Sequence, residues 1–376
     1  MRVAVPREIA EGEKRVAAVP GTVEKMVKAG IEVCLESEAG IASGFADAEY
    51  REAGAAVEAG AEAALQRADV VLKVQKPLRT AQGHELDRFP ERATLIAYSV
   101  RARDDPELAE ELRARRITAL SLDLVPRIAR AQNMDVLSSM ANIAGYKSVL
   151  LAADALPKFF PMLMTAAGTV LPARVFVLGA GVAGLQAIAT ARRLGAVVTG
   201  FDIRPVVKEQ VESLGARFVA VGLEEHAEDA KGYAKEVSAD AAAKERELIA
   251  RELKSTDVCI TTALVPGKRA PVLVTGEMVR GMRMGSIIVD LAAEQGGNCE
   301  LTDPGKDVVK HGVRIIGPVN LVSTMAFQAS QLYARNVLNF LLQVYDKQAR
   351  KLALDSGDEV VKACLVARGG ELLQTV

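Results

Sequence analysis

The sequence predicts an α/β protein of two doubly wound, parallel-sheet domains joined by long helices, with a cleft between them. Three observations carry this. Short apolar runs of strand length alternate with helical stretches over residues 1 to about 125, and again from Arg174 onward. One of the later strands runs straight into a glycine-rich turn and then a helix. At 376 residues the chain is too long for one typical domain, and at 50% hydrophobic it can bury two cores.

In the first segment Arg2–Val5, Ile31–Leu35, Val70–Val74, Thr94–Tyr98 and Thr118–Leu122 read as strands. Helices between them include Thr22–Ala29, closed by Gly30, and Pro106–Arg115, opened by Asp105. Strands that alternate with helices build a parallel sheet covered on both faces. Pro126 ends the pattern. A polar stretch follows, Arg127-Ile-Ala-Arg-Ala-Gln-Asn-Met-Asp135, and then a long helix from about Val136 to Asp154. Alternation resumes with strands at Arg174–Leu178, Val197–Phe201, Arg217–Val219, Val258–Thr261, Ser286–Val289 and Val313–Ile315. A second long helix covers Thr324 to about Tyr345, and the tail holds one more apolar run, Val360–Val366. The two long helices bracket the second domain, so the tail packs back on the first. Residues 1–136 with 327–376 form one domain and 137–326 the other.

Composition narrows the function. Lys plus Arg number 47 and Asp plus Glu 48, a net charge of −1, so nothing electrostatic calls for nucleic acid or an anionic membrane. Four widely spaced cysteines without a CxxC pair argue against a disulfide framework and against a metal site, and for a reducing compartment. The N-terminus is too short and too charged for a signal peptide. The most apolar stretch, Val149–Leu171, is broken by Asp154, Pro157, Lys158 and Pro161 and does not read as a membrane span.

The chemistry begins where the strand Arg174–Leu178 enters Gly179-Ala180-Gly181-Val182-Ala-Gly184. Each glycine has a mechanical task. Gly179 allows the tight turn, Gly181 admits a pyrophosphate close to the backbone, and Gly184 lets helix and strand pack closely. The helix N-terminus then offers free N–H groups and a partial positive charge to phosphate. The strand–turn–helix context separates this Rossmann fingerprint from a chance glycine pattern. The next strand ends in Asp202, 18 residues after Gly184. A carboxylate there suits both hydroxyls of the adenosine ribose and repels a 2′-phosphate, which favours NAD(H) over NADP(H). Arg204, two residues on, could instead meet a 2′-phosphate. Ile203 lies between them.

These pieces resemble the NAD(H)-binding component of the proton-translocating nicotinamide nucleotide transhydrogenases. The resemblance covers nearly the whole chain. It rests on Gly179–Ala189, Asp202-Ile-Arg204, Gly232-Tyr-Ala-Lys-Glu236, Thr261–Lys268, Glu294–Asn298, Val5–Ile9, Glu13–Ala17, and Arg127–Asp135 followed by Ser138. It implies two αβ domains, a homodimer and a nicotinamide lying in the cleft. It also implies NADP(H) on a partner subunit and proton passage through membrane-spanning subunits. The chain ends at Val376 with no membrane helices, so it looks like the form that is its own subunit, cytoplasmic and peripheral to the inner membrane through those partners.

In that family the loop after Pro126 meets the nicotinamide and its ribose. Arg127, Ile128, Ala129, Arg130, Gln132, Asp135, Leu137 and Ser138 are therefore expected at the nucleotide. Gln132 both donates and accepts, which suits a ribose hydroxyl or the carboxamide. Arg127 could hold the carboxamide oxygen or a phosphate, and Asp135 could anchor Arg127 or a ribose hydroxyl. These three are the expected catalytic positioning groups. The plainer alternative is a polar linker with Asp135 as helix N-cap. The long, charged, poorly periodic segment Gly222–Asp240 reads as a lid with Gly232 and Tyr233 at its tip. Ala263 and Leu264 are expected to wall the nicotinamide, or simply to pack the core. Glu294-Gln-Gly-Gly could line the same cleft.

The same architecture resembles alanine dehydrogenase, in which Arg15 would grip the substrate carboxylate. Oxidising an amino acid moves a proton as well as a hydride and needs an acid/base group. In the matching stretch Lys73-Val-Gln75-Lys76-Pro77, Gln75 stands where that enzyme has its lysine, and Thr94–Val100 contains no histidine. Of the three histidines, His84 and His311 have no evident catalytic partner and His226 falls in the expected lid. Transfer between two nicotinamide rings needs alignment and no acid or base. A third possibility is a module that binds NAD(H) without catalysis.

Overall fold

The structure is a computed structural model that describes residues 1–102, 105–220, 239–265 and 268–373. The expected lid tip, Gly232 and Tyr233, lies outside the described residues, as does His226.

The chain divides into two compact units, Met1–Met140 with Val322–Val376, and Ala141–Leu321. The sequence puts these boundaries at 136/137 and 326/327. The helix Val136–Ala155 carries the first boundary and the helix Ala326–Val344 begins just past the second.

The first unit holds an eight-stranded sheet. Its order is Glu371–Leu372, Leu365–Arg368, Thr118–Ser121, Thr94–Ala97, Val70–Leu72, Arg2–Val5, Glu32–Glu36, Ala56–Glu58. The six strands from Thr118–Ser121 to Ala56–Glu58 are parallel. The direction of winding reverses at Arg2–Val5, the doubly wound pattern. Two features differ from the expectation. Ala56–Glu58 and Glu371–Leu372 are strands the periodicity missed, because two or three residues are too few to show a period. The apolar run Val360–Val366 is not one element. It is the end of a helix, Glu359–Cys364, and the start of a strand, Leu365–Arg368, that pairs antiparallel to Thr118–Ser121. The helix is initiated by Asp358, whose carboxylate accepts from the Val360 N–H at 2.8 Å.

The second unit holds a seven-stranded sheet. Its order is Arg217–Val219, Val197–Phe201, Arg174–Leu178, Val258–Thr261, Ile287–Asp290, Val313–Ile316, Asp307–Lys310. Six strands are parallel with the same reversal, here at Arg174–Leu178, and Asp307–Lys310 is an antiparallel edge. Side-chain alternation splits each central strand between two cores. Val175, Val177, Ile260 and Val289 pack with Val149, Ala187 and Ile188 on one face. Phe176, Leu178, Cys259 and Ile288 pack with Ile249, Leu253 and Val279 on the other. That is why these strands read as unbroken apolar runs. Val136–Ala155 is long and apolar enough to cross a membrane, yet its Val149 and Ala152 are buried in the first of these cores.

Candidate functional site: the switch point of the second unit

In an open doubly wound sheet, ligands bind beyond the carboxyl ends of the strands where the winding reverses. In the second unit that place lies past Leu178 and Thr261. The chain leaves Leu178 through Gly179, whose φ of +96° is a conformation glycine adopts without cost. A Cβ there would lie 2.6 Å from the Thr262 hydroxyl oxygen. A Cβ on Gly184 would lie 1.8 Å from the Gly179 carbonyl oxygen, so helix Val182–Arg193 can approach the strand only with glycine at that position. A Cβ on Gly181 would meet nothing within 4 Å. The space over Gly181 is open, and the helix that starts after it has no side-chain cap. Its first N–H groups are available to an anion.

Three partners hold this turn in shape. The Gly179 N–H donates to Phe201 O at 2.8 Å, and the Thr262 N–H to Leu178 O at 2.8 Å. The Thr262 hydroxyl donates to Gly179 O at 3.0 Å. Asp202 follows the second strand and is buried. Its Oδ2 accepts from the Ala180 N–H at 2.7 Å, so the carboxylate is built into the glycine turn. The structure also places Arg204. Its guanidinium folds back on Asp202, with Nε 2.9 Å from Oδ1 and Nη2 2.8 Å from Oδ2, and its N–H donates to Oδ1 at 2.9 Å. The two residues that pulled the specificity reading in opposite directions are thus one ion pair. Ile203 turns inward against the core, and Val182 opens the helix, partly buried.

Ala263 and Leu264 follow Thr262. Asn298, fully buried, locks Ala263 as a strand neighbour would. Its Oδ1 accepts from Ala263 N–H at 2.9 Å, and its Nδ2 donates to Ala263 O and Pro271 O, both at 2.8 Å. Leu264 is exposed beside it. Glu294 and Gln295 form a 3-10 turn after the strand Ile287–Asp290. Asp290 ties that loop down. Its fully buried carboxylate accepts from Thr261 Oγ1 at 2.8 Å, Ala292 N at 3.0 Å, Cys299 N at 3.0 Å and Thr302 Oγ1 at 2.7 Å. Four donors replace the water a buried charge loses. Sequence reasoning gave no role to Thr262, Asp290, Asn298 or Gly145, whose Cβ would lie 2.1 Å from Ala183 O. The only available signal was polar residues at the ends of apolar strands.

The first unit has the same switch point, past Val5 and Leu72, and a buried charged cluster sits beside it. Lys73 is fully buried, with Nζ 2.8 Å from Glu85 and 3.2 Å from Glu8. Burial works against the Lys73 charge, and the two carboxylates outweigh it and hold the ammonium charged. Burial pushes the Glu8 carboxyl up, despite Lys73 and the Val74 N–H. Beside this cluster, Arg15 is closed by Glu13, with Nε 2.8 Å from Oε1 and Nη2 2.6 Å from Oε2, and the Gln75 amide donates to Glu13 Oε2 at 2.7 Å. Desolvation would raise Glu13, but Arg15 and then Gln75 hold its carboxyl down at about 2. His84 is a buried helix cap, its Nδ1 accepting from Leu86 N–H at 3.1 Å.

The polar loop also belongs to the first unit. Ala129–Met134 is a 3-10 segment, and Asp135 caps the helix after it. Asp135 Oδ1 accepts from Ser138 N–H at 2.9 Å and Oδ2 from Ser138 Oγ at 2.5 Å. This is the N-cap arrangement, so Asp135 and Ser138 are structurally engaged whatever else they bind. Arg127, Ala129 and Gln132 are exposed, Ile128 and Leu137 partly buried. Arg130 is paired with Asp358, at 3.0 and 2.9 Å, and with Glu359.

Fold and turn define a nucleotide-binding protein of the Rossmann class. The chain belongs to the alanine dehydrogenase/PNT family: the model of the family's N-terminal domain matches residues 4–144 and that of its C-terminal domain residues 148–375. An NAD(P) transhydrogenase alpha-subunit chain of Rhodospirillum rubrum is 49% identical over 376 residues, 99% of this chain and 98% of the relative. The NAD(P) transhydrogenase subunit alpha of Haemophilus influenzae is 44% identical over 99% of this chain and 71% of its own length. An alanine dehydrogenase of Methanococcus maripaludis is 29% identical over 95% and 90%. Among solved structures, the transhydrogenase of Sinorhizobium meliloti superposes with a TM-score of 0.89 at 44% identity, covering 99% of this chain and 100% of that one. An L-alanine dehydrogenase superposes at 0.83 and 30% identity, covering 100% and 97%.

Proposed function

We propose that this chain is the NAD(H)-binding subunit of a proton-translocating NAD(P) transhydrogenase. It works as a homodimer, cytoplasmic and peripheral to the inner membrane, with NADP(H) on a partner subunit and proton passage in membrane-spanning partners. Gln75 carries the choice over amino-acid oxidation. It stands where alanine dehydrogenase has its acid/base lysine, and its amide, which cannot carry a proton at neutral pH, donates to Glu13 Oε2 at 2.7 Å. The relatives named as transhydrogenase subunits are also the more similar ones, 49% against 29% identical.

NADH supplies the hydride and its nicotinamide ring is the donor. The residues of the chain bind and align it. The open space over Gly181 and the uncapped helix start take the pyrophosphate. Asp202 takes the adenosine ribose once Arg204 releases it. Ala263 and Leu264, braced by Asn298, wall the nicotinamide. Arg127, Gln132, Asp135 and Ser138 are its proposed orienting groups, and Gly232 and Tyr233, outside the described residues, are proposed nucleotide contacts. None of these steps asks a side chain to gain or lose a proton, and the gain lies in proximity and orientation at roughly 3–3.5 Å between reacting carbons.

The deciding assay is hydride exchange from NADH to an NADP⁺ analogue after the NADP(H)-binding partner is added. Exchange is expected. Its absence, together with pyruvate- and ammonia-dependent NADH oxidation by this chain alone, overturns the proposal in favour of alanine dehydrogenase chemistry. Neither activity, with NADH still bound, points to a binding module. Gln132→Asn should keep NADH affinity and slow the exchange, and an unchanged rate removes Gln132 from the site.

A further inference from the structure

We infer that Arg130 is a positioning residue: with Asp358 it clasps the Ala129–Met134 segment to the C-terminal part of the chain and so fixes Gln132. This rests on the proposed role of Gln132 and extends it.

The segment needs an external hold. A 3-10 run of six residues is longer than such helices usually are, and its hydrogen bonds are poorly aligned. Beyond its internal turn bonds, its main chain adds Ala131 N–H to Ile128 O at 3.0 Å and Asp135 N–H to Gln132 O at 3.3 Å. Two ties flank Gln132. After it, the Asn133 carbonyl accepts from the amides of Asn336 and Asn339, three residues apart on helix Ala326–Val344, at 2.8 and 2.9 Å. Before it, Arg130 engages Asp358 through Nη1–Oδ2 at 3.0 Å and Nη2–Oδ1 at 2.9 Å. This is the two-pronged geometry in which a guanidinium matches a single carboxylate. Asp358 is itself held in place. It caps helix Glu359–Cys364 through Val360 N–H at 2.8 Å, and Gln343 donates to its Oδ2 at 3.3 Å. Between the ties the Gln132 side chain is exposed. The fork of Arg130 is spent on the C-terminal helix, which leaves it a poor candidate for holding a nucleotide. Exposed ion pairs contribute little to stability. The worth of this one lies in geometry, where a misplacement of about 1 Å can cost on the order of a hundredfold in rate.

Arg130→Gln and Asp358→Ser test it, serine keeping the helix cap while removing the clasp. With the full chain and its partner, both variants should bind NADH within about twofold of the parent. Both should transfer hydride on the order of tenfold more slowly at saturating nucleotide. Amide hydrogen exchange at residues 131–135 should be faster in both, and Arg130→Lys should recover part of the rate. If Arg130→Gln weakens NADH binding more than about tenfold while the saturated rate holds, Arg130 is a nucleotide ligand and the inference is wrong. Unchanged amide exchange in both variants also overturns it. If the parent chain itself fails to transfer hydride, the transhydrogenase reading falls, and the amide exchange still decides the clasp.

Discussion

Replacing Asp202 by asparagine separates the two demands on that side chain. The carboxylate accepts four hydrogen bonds, one from Ala180 N–H and three from Arg204. Asparagine keeps an acceptor for the buried Ala180 N–H but loses the charge, and its amide hydrogens face those of Arg204. Alanine removes the acceptor altogether. Leaving Ala180 N–H unsatisfied costs about 1–3 kcal/mol, so Asp202→Ala should unfold earlier than Asp202→Asn. Binding reads the other term. Charge-assisted bonds to the ribose hydroxyls are worth about 1.5–3 kcal/mol, so Asp202→Asn should raise the Kd for NADH roughly 10- to 150-fold. The same change removes the negative charge facing a 2′-phosphate, so NADPH should bind more tightly than to the parent. Titration calorimetry with both nucleotides, beside thermal unfolding, measures all three. An NADH Kd within twofold of the parent, or weaker NADPH binding, refutes the ribose role.

Further expectations concern the turn and the first unit. Gly181→Ala should fold normally and lose NADH affinity, because its Cβ enters open space. Gly184→Ala should lose at least about 1–3 kcal/mol of stability, because its Cβ strikes the Gly179 carbonyl; equal melting temperatures for the two variants would contradict that contrast. Glu13 titrates at about 2 in the folded chain against an ordinary value of 4.5. A depressed carboxyl contributes stability that is fully present above about 4.5 and lost as pH falls toward 2, on the order of 3 kcal/mol. Glu13→Gln should lack that acid-side loss. It should also be less stable near neutral pH by about 3–5 kcal/mol, since the buried Arg15 loses the carboxylate charge that faces it. Denaturant unfolding across this range measures both, and parallel pH profiles would be the contrary result.

Much of this architecture is written locally. Gly179, Gly181, Gly184 and Asp202 could be read because a strand, a tight turn and a helix follow each other along the chain, and each needs a particular residue type at a particular spacing. The apolar strands could be read because both faces of each sheet are covered. Tertiary structure decided what depends on residues far apart in sequence. Asn298 reaches Ala263, Asp358 reaches Arg130, and Asp290 collects donors from both sides of a loop. No period or spacing encodes such pairs, because hydrogen-bond geometry is set by where strands end in space. The same holds for Arg204. As a residue it fits either nucleotide, and only its fold-back onto Asp202 shows which charge it answers before a ligand arrives. The two switch points make the point for the whole chain. Sequence predicted two sheets of one kind, and packing determined that Lys73, Glu8 and Glu85 gather as a buried charged cluster beside the first while the space over Gly181 is open in the second.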